Sequence, residues 1–143
     1  MTAEFIGVKR VTAWPEEKDG KAGYAVKYSD GYISWSPADV FERSYFRLTE
    51  DDGSKILEFD VTRFFDKVES LTMGEKTTVV KATLINGFEM VEGSSCVDPK
   101  NYDEELGMKI CLGKMRDEVW KLLGFVLQWA KSGIKPEENH PEM

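Results

Sequence analysis

Thr77-Thr78-Val79-Val80-Lys81-Ala82-Thr83-Leu84-Ile85-Asn86-Gly87-Phe88-Glu89-Met90-Val91-Glu92 decides the fold of this chain. The run from Thr77 to Ile85 is rich in β-branched residues and predicts a strand. Asn86-Gly87 supplies the positive backbone φ that a two-residue primed turn needs, and Phe88 to Glu92 returns as the partner strand. Downstream, Gly93-Ser94-Ser95-Cys96-Val97 reads as a loop of small residues. Asp98-Pro99 then opens a helix, with Asp98 as cap and Pro99 at the first helical position. That helix is expected to run to about Leu112. After a break at Gly113, a second helix is expected from Met115 to Lys131. Residues 76–132 thus predict a hairpin followed by two packed helices, and residues 133–143 a polar, mobile tail containing His140.

Upstream, Phe5 to Trp14 alternates and predicts a strand, followed by a charged loop from Pro15 to Gly23. Tyr24 to Tyr28 and Tyr32 to Trp35 flank Ser29-Asp30-Gly31, a second hairpin signal. Ser36-Pro37 marks a helix start, with Ser36 at the cap, and that short helix ends near Tyr45. Residues 1–49 therefore read as a β-rich module. Glu50-Asp51-Asp52-Gly53 breaks the pattern. Val61, Phe64, Phe65, Val68 and Leu71 then recur at helical spacing, which predicts a helix over 56–71 with Asp60 as its cap. Residues 50–75 are expected to form a linker carrying that helix. The fold class predicted is α+β, with antiparallel hairpins and helices on one side.

Composition removes several functions. The chain has 143 residues and a net charge of −7, which opposes general binding to a nucleic-acid backbone. No run of about 18 apolar residues is present to span a bilayer, and Met1 to Phe5 lacks the basic and apolar regions of a signal peptide. The expectation is a soluble protein made in the cytosol. Cys96, Cys111 and His140 do not make a zinc-ligand pattern, and the cysteines read as small apolar fillers. No phosphate-binding glycine loop occurs, and Ser94, Ser95 and Cys96 have no histidine base near them in the sequence. The paired acids Asp51-Asp52 and Glu104-Glu105 read as solvated or as partners of a helix dipole. The sequence predicts no enzyme, no catalytic residue, no metal and no cofactor.

Binding residues are the remaining candidates. Ser94 and Ser95 lead into a helix N-terminus whose amides can hold an anion, although Asp98 would itself occupy those amides. Tyr24, Tyr28, Tyr32 and Trp35 are expected to be core and cross-strand pairs. Phe88 sits beside a hairpin turn, where burial explains it less well, and it suits a pocket wall. The last helix is apolar nearly all round, which predicts a homo-oligomer formed through it.

The stretches Ala82 to Glu89, Ser94 to Tyr102, Gly107 to Cys111 and Val119 to Phe125 resemble the gp-forty-nine/gp-sixty-six family of small tailed-phage proteins. The stretch from Gly23-Tyr24 through Asp30-Gly31-Tyr32-Ile33-Ser34-Trp35-Ser36-Pro37 to Tyr45 resembles an N-terminal phage module also seen fused to Thoeris anti-defence domains of the second type. The C-terminal half also looks similar to the first type of Thoeris anti-defence protein, a sponge that sequesters cyclic ADP-ribose isomers without cleavage. The reading of the residues and that resemblance together give a candidate ligand set of Asn86, Phe88, Ser94, Ser95, Asp98, Asn101, Lys109 and Arg116. The resemblance places Phe88 against the adenine, and Asn101 with Lys109 or Arg116 near the phosphates. It implies a phage anti-defence protein acting in the host bacterial cytoplasm on a small nucleotide-derived ligand. An acidic adaptor that binds a host protein, or a minor virion or assembly component, are the alternative expectations.

Overall fold

A computed structural model describes residues 1–137, and His140 with the rest of the expected tail beyond 137 lies outside them. The chain forms two compact units, Leu48–Gly124 and Met1–Arg47 together with the chain from Phe125 on.

In the unit Leu48–Gly124, helix α2 (Glu58–Phe64) leads into strand β4 (Phe65–Met73). Strands β5 (Thr77–Leu84) and β6 (Glu89–Ser95) complete an antiparallel sheet of order β4-β5-β6. Gly87 takes φ +87° and donates its N–H to the Leu84 carbonyl at 2.8 Å, so the Asn-Gly hairpin forms as expected. A single 3-10 turn (Pro99–Asn101) precedes the long helix α3 (Glu104–Ser132). The fold is α+β.

The core follows from two periodicities. Along β5 every second residue is buried, namely Thr78, Val80, Ala82 and Leu84. Along α3 every fourth residue is buried, from Gly107 through Cys111, Met115 and Val119 to Leu123. Val80, Ala82, Cys111 and Met115 form the buried cluster, with Phe65, Val68 and Met90 packed against it. Burying a side chain such as Met115 contributes about 1.5–3 kcal/mol. Helix and sheet approach closely where Gly107 faces Thr78: a Cβ there would lie 2.2 Å from Thr78 Oγ1.

Three expectations for this unit need correction. The helix expected over 56–71 ends at Phe64, and Phe65 turns into extended backbone at φ −82°, ψ 130°. The register of β4 against β5 shifts between Phe65 and Lys67. That irregularity lets Phe65 and Val68, three positions apart, both face the core, which imitates helical spacing. Asp60 does cap α2, but from inside its first turn: its Oδ2 accepts the Leu57 N–H at 3.0 Å. The helix expected from Asp98 is only the 3-10 turn, and the two expected C-terminal helices are the one helix α3. Gly113 costs about 1 kcal/mol against alanine within a helix, and the buried stripe on either side of it carries the helix across.

In the other unit, β1 (Thr12–Pro15), β2 (Gly23–Lys27) and β3 (Ile33–Pro37) form an antiparallel sheet of order β1-β2-β3. Gly31 takes φ +91° in the expected turn. The strand expected over 5–14 is realised only at β1, and Phe5 and Ile6 are exposed. Helix α1 (Ala38–Ser44) has Pro37 at its cap and no side-chain cap bond. Ser36 instead pairs with Tyr24 in the sheet and donates to the Pro37 carbonyl at 3.3 Å. Tyr24 stacks on Phe41 at 4.4 Å, and Phe41 on Tyr45 at 4.8 Å, so these aromatics join β2 to α1. Trp35 covers Gly23, where a Cβ would lie 2.4 Å from the indole.

Candidate functional site

An open hollow of about 80 Å³ lies within the unit Leu48–Gly124, between the end of β6 and the first turns of α3. Ser94, Ser95 and Cys96 form its strand side, and Leu106 and Ile110 form its helix side. Asn101 and Tyr102 close one end. Leu106 is 54% exposed and Ile110 43%, so two aliphatic side chains stand open to solvent beside a row of hydroxyls.

Local bonding fixes these walls. Asp98 Oδ1 accepts the Lys100 N–H at 3.0 Å, and the Asn101 N–H donates to the Asp98 carbonyl at 2.9 Å. That turn sets Asn101 and Tyr102. The Tyr102 hydroxyl shares hydrogen bonds with Thr72 at 2.7 Å and Thr78 at 2.9 Å, tying the turn to β4 and β5. Ser95 and Thr77 share a hydroxyl bond of 2.8 Å across the ladder. Lys76 donates from Nζ to the Val97 carbonyl at 3.0 Å.

The lining carries one charge of each sign, Asp103 and Lys76. Nearby, Glu92 pairs with Lys114 at 3.8 Å, and Glu104 accepts from Ser70 on β4 at 3.5 Å. Cys111 is fully buried beneath, and burial pushes its thiol pKa up, which keeps it an inert filler. Cys96 is half-buried and its thiol donates to the Asp98 carbonyl at 3.2 Å.

The eight residues expected to bind ligand separate into groups. Ser94, Ser95 and Asn101 line the hollow, with Asp98 just outside it in the turn. Asn86 and Phe88 lie at the opposite end of the hairpin, because Thr83 pairs with Glu89 while Thr77 pairs with Ser95. Six residues of strand at roughly 3.3 Å each separate those ends by about 20 Å. Asn86 Oδ1 accepts the Phe88 N–H at 3.1 Å, a turn contact, and Phe88 is 55% exposed. Arg116 donates to Thr62 at 3.0 Å and pairs with Glu58 at 3.4 Å. Lys109 is exposed on α3 and does not line the hollow. The sequence reading missed Tyr102, Leu106 and Ile110. Leu106 and Ile110 were legible as an i, i+4 apolar pair beside the stripe of Gly107 and Cys111.

The Tyr102→Phe variant removes both hydroxyl bonds. We expect a loss of about 1–3 kcal/mol of stability, from two net hydrogen bonds of roughly 0.5–1.5 kcal/mol each, measured by urea denaturation. Thr72→Ala alone is expected to cost less than Tyr102→Phe.

Comparison with known proteins places the chain. The model of the Phage protein (N4 Gp49/phage Sf6 gene 66) family matches residues 39–130. The chain belongs to this phage protein family. The matched span runs from α1 through most of α3 and includes every residue of the hollow. No curated protein and no solved structure matches. Among the described residues of this phage-family protein, no helix is long and apolar enough to cross a membrane, and no group of three or more His, Cys, Asp or Glu stands ready to hold a metal ion.

Proposed function

We propose that this phage-family protein is a non-catalytic binding protein that engages a host protein, as an adaptor or inhibitor, in the host bacterial cytoplasm. The observation that carries this reading is the hollow itself. At about 80 Å³ it has room for one side chain, whereas small-molecule sites run to about 300–1,000 Å³. Its exposed aliphatic wall, Leu106 and Ile110, suits an apolar side chain.

A second reading keeps the sequestering of a cyclic ADP-ribose type of signal without cleavage. Ser94, Ser95 and Asn101 support it, since two hydroxyls and an amide line the hollow. It requires a second copy to enlarge the site, and the exposed Trp120 and Leu122 of α3 offer apolar surface for one.

One pair of measurements separates the readings. The protein is immobilised and exposed to bacterial lysate, beside the double variant Leu106→Asp, Ile110→Asp. The same proteins are titrated calorimetrically with cyclic ADP-ribose isomers and cyclic oligonucleotides. The first reading expects capture of a discrete host protein, lost in the variant, and no heat. Heat with a nucleotide, lost in Asn101→Ala, overturns it in favour of the second. Capture that survives the double variant overturns the role of the hollow.

A further inference from the structure

The polar groups that line the hollow divide into bonded and unbonded ones. Ser95 is bonded to Thr77, Tyr102 to Thr72 and Thr78, and the Cys96 thiol to the Asp98 carbonyl. Asp103 Oδ1 accepts the Leu106 N–H at 3.2 Å, so this carboxylate caps the first turn of α3, where an acid suits the helix dipole. No ion pair joins Asp103 to Lys76. Three lining groups keep donors with no partner among the described residues. The Ser94 hydroxyl and the Asn101 side-chain amide are two of them. The third is Lys76, whose Nζ gives one proton to the Val97 carbonyl at 3.0 Å and has two left. An ammonium, a hydroxyl and an amide are the donors that suit a carboxylate. In the same hollow Leu106 and Ile110 stand half open to solvent. A phosphate would use the donors and leave this aliphatic pair uncovered. A carboxylate bearing one alkyl side chain uses both.

We infer that the hollow binds the C-terminal residue of the partner protein, a valine, leucine or isoleucine. Its carboxylate meets Lys76, Ser94 and Asn101, and its side chain packs on Leu106 and Ile110. The inference rests on the protein-binding reading above and names the part of the partner that is recognised. The chain behind that residue has a place to lie. In the order β4-β5-β6, β6 is paired on one side only among the described residues, and a free strand edge accepts another strand. A chain laid parallel to β6 and ending beside Ser94 brings its carboxylate towards Val97, whose carbonyl holds Lys76. Ser94 pairs with the buried Thr78, so a residue beside Ser94 shares the face that α3 covers. The residue before it lies beside Gly93 and faces the other side of the sheet, so its side chain is not selected.

The test uses the full chain and three hexapeptides of glycine and serine with fluorescein at the N-terminus, read by anisotropy. One ends in valine with a free carboxylate, one in valine with a carboxamide, and one in glycine with a free carboxylate. The valine acid is expected to bind at least tenfold more tightly than either of the others. Lys76→Gln removes the charge and keeps an amide donor for the Val97 carbonyl. It should weaken the valine acid at least tenfold with an unchanged circular dichroism spectrum, whereas Lys76→Arg should retain binding. Equal binding of acid and carboxamide, indifference to Lys76→Gln, or no binding of any peptide overturns the inference. Isovalerate carries the same side chain and carboxylate without a chain. If it competes as well as the valine acid peptide, the hollow takes a free acid and the inference fails. In the lysate experiment, release of the captured host protein by the valine acid and not by the carboxamide supports the inference. A captured protein that excess valine acid does not release overturns it and leaves the protein-binding reading in place.

Discussion

Gly107→Ala is expected to be among the most destabilising substitutions in the unit Leu48–Gly124, although it adds one methyl group. The new Cβ would sit 2.2 Å from Thr78 Oγ1 and 2.8 Å from Thr78 Cβ. Both distances are far inside van der Waals contact, and Thr78 has no room to yield. It is fully buried on the central strand, and its hydroxyl is held by Tyr102. Either α3 lifts from β5 at its first turns or Thr78 leaves its rotamer and its bond. Overpacking of this kind costs about 1–3 kcal/mol, occasionally more, and loss of the Tyr102 bond adds about 1 kcal/mol. Alanine is the better helix former by about 1 kcal/mol, so the net expectation is a loss of about 1–3 kcal/mol in urea denaturation followed by circular dichroism. Thr78→Gly in the Gly107→Ala background removes the clashing atoms. A double-mutant cycle should then show coupling of about 1–3 kcal/mol. Additive losses would mean that the close approach is not what selects glycine. Gly113→Ala on the same helix is the control. A Cβ there meets nothing within 4 Å, so that variant should be neutral or stabilising.

That contrast shows where sequence reading reached and where it stopped. Gly107 and Gly113 are the same residue in the same helix, and only tertiary contact separates their roles. Sequence alone gave weight to the wrong one, taking Gly113 as a break between helices. The β5–β6 hairpin was legible because Asn86-Gly87 demands one turn geometry and the alternation on β5 runs undisturbed to Leu84. The stretch 56–71 was misread because a register shift in β4 places Phe65 and Val68 on one face, and no local signal distinguishes that from a helix turn. The strand expected from Phe5 was shortened because only Thr12–Pro15 finds a partner on β2. The candidate site was legible in its loop. Ser94, Ser95 and Asn101 do meet at one hollow. Phe88 does not join them within a single chain, because it stands at the turn end of β6 while Ser94 and Ser95 stand at the other end.

Asp60→Ala is expected to cost about 3–5 kcal/mol, the range for removing one partner of a buried charge pair. Asp60 is fully buried. Its Oδ1 accepts from Thr49 N–H at 3.0 Å, Thr49 Oγ1 at 2.6 Å and Arg63 at 2.8 Å, and its Oδ2 accepts from Leu57 N–H at 3.0 Å. The carboxylate thereby ties the segment entering the unit at Thr49 to the first turn of α2. Burial alone would raise its pKa. The backbone bond from Leu57, with the bonds from Thr49 and Arg63, outweighs burial and holds it below the usual carboxylate value. The sign of the pH dependence follows. A carboxylate depressed in the folded state contributes its full stability above its unfolded value, about 3.9. That contribution is lost as pH falls from there through the folded value. Asp60→Asn keeps the shape and removes the charge, so the gap in urea midpoint between the native protein and Asp60→Asn should be wide at pH 7 and should begin to close only as pH falls below about 4. A gap independent of pH would assign the bonding to shape alone, with no role for the charge. Arg63→Met isolates the ion pair. It should cost less than Asp60→Ala, because the Leu57 and Thr49 donors still satisfy the carboxylate when the guanidinium is gone.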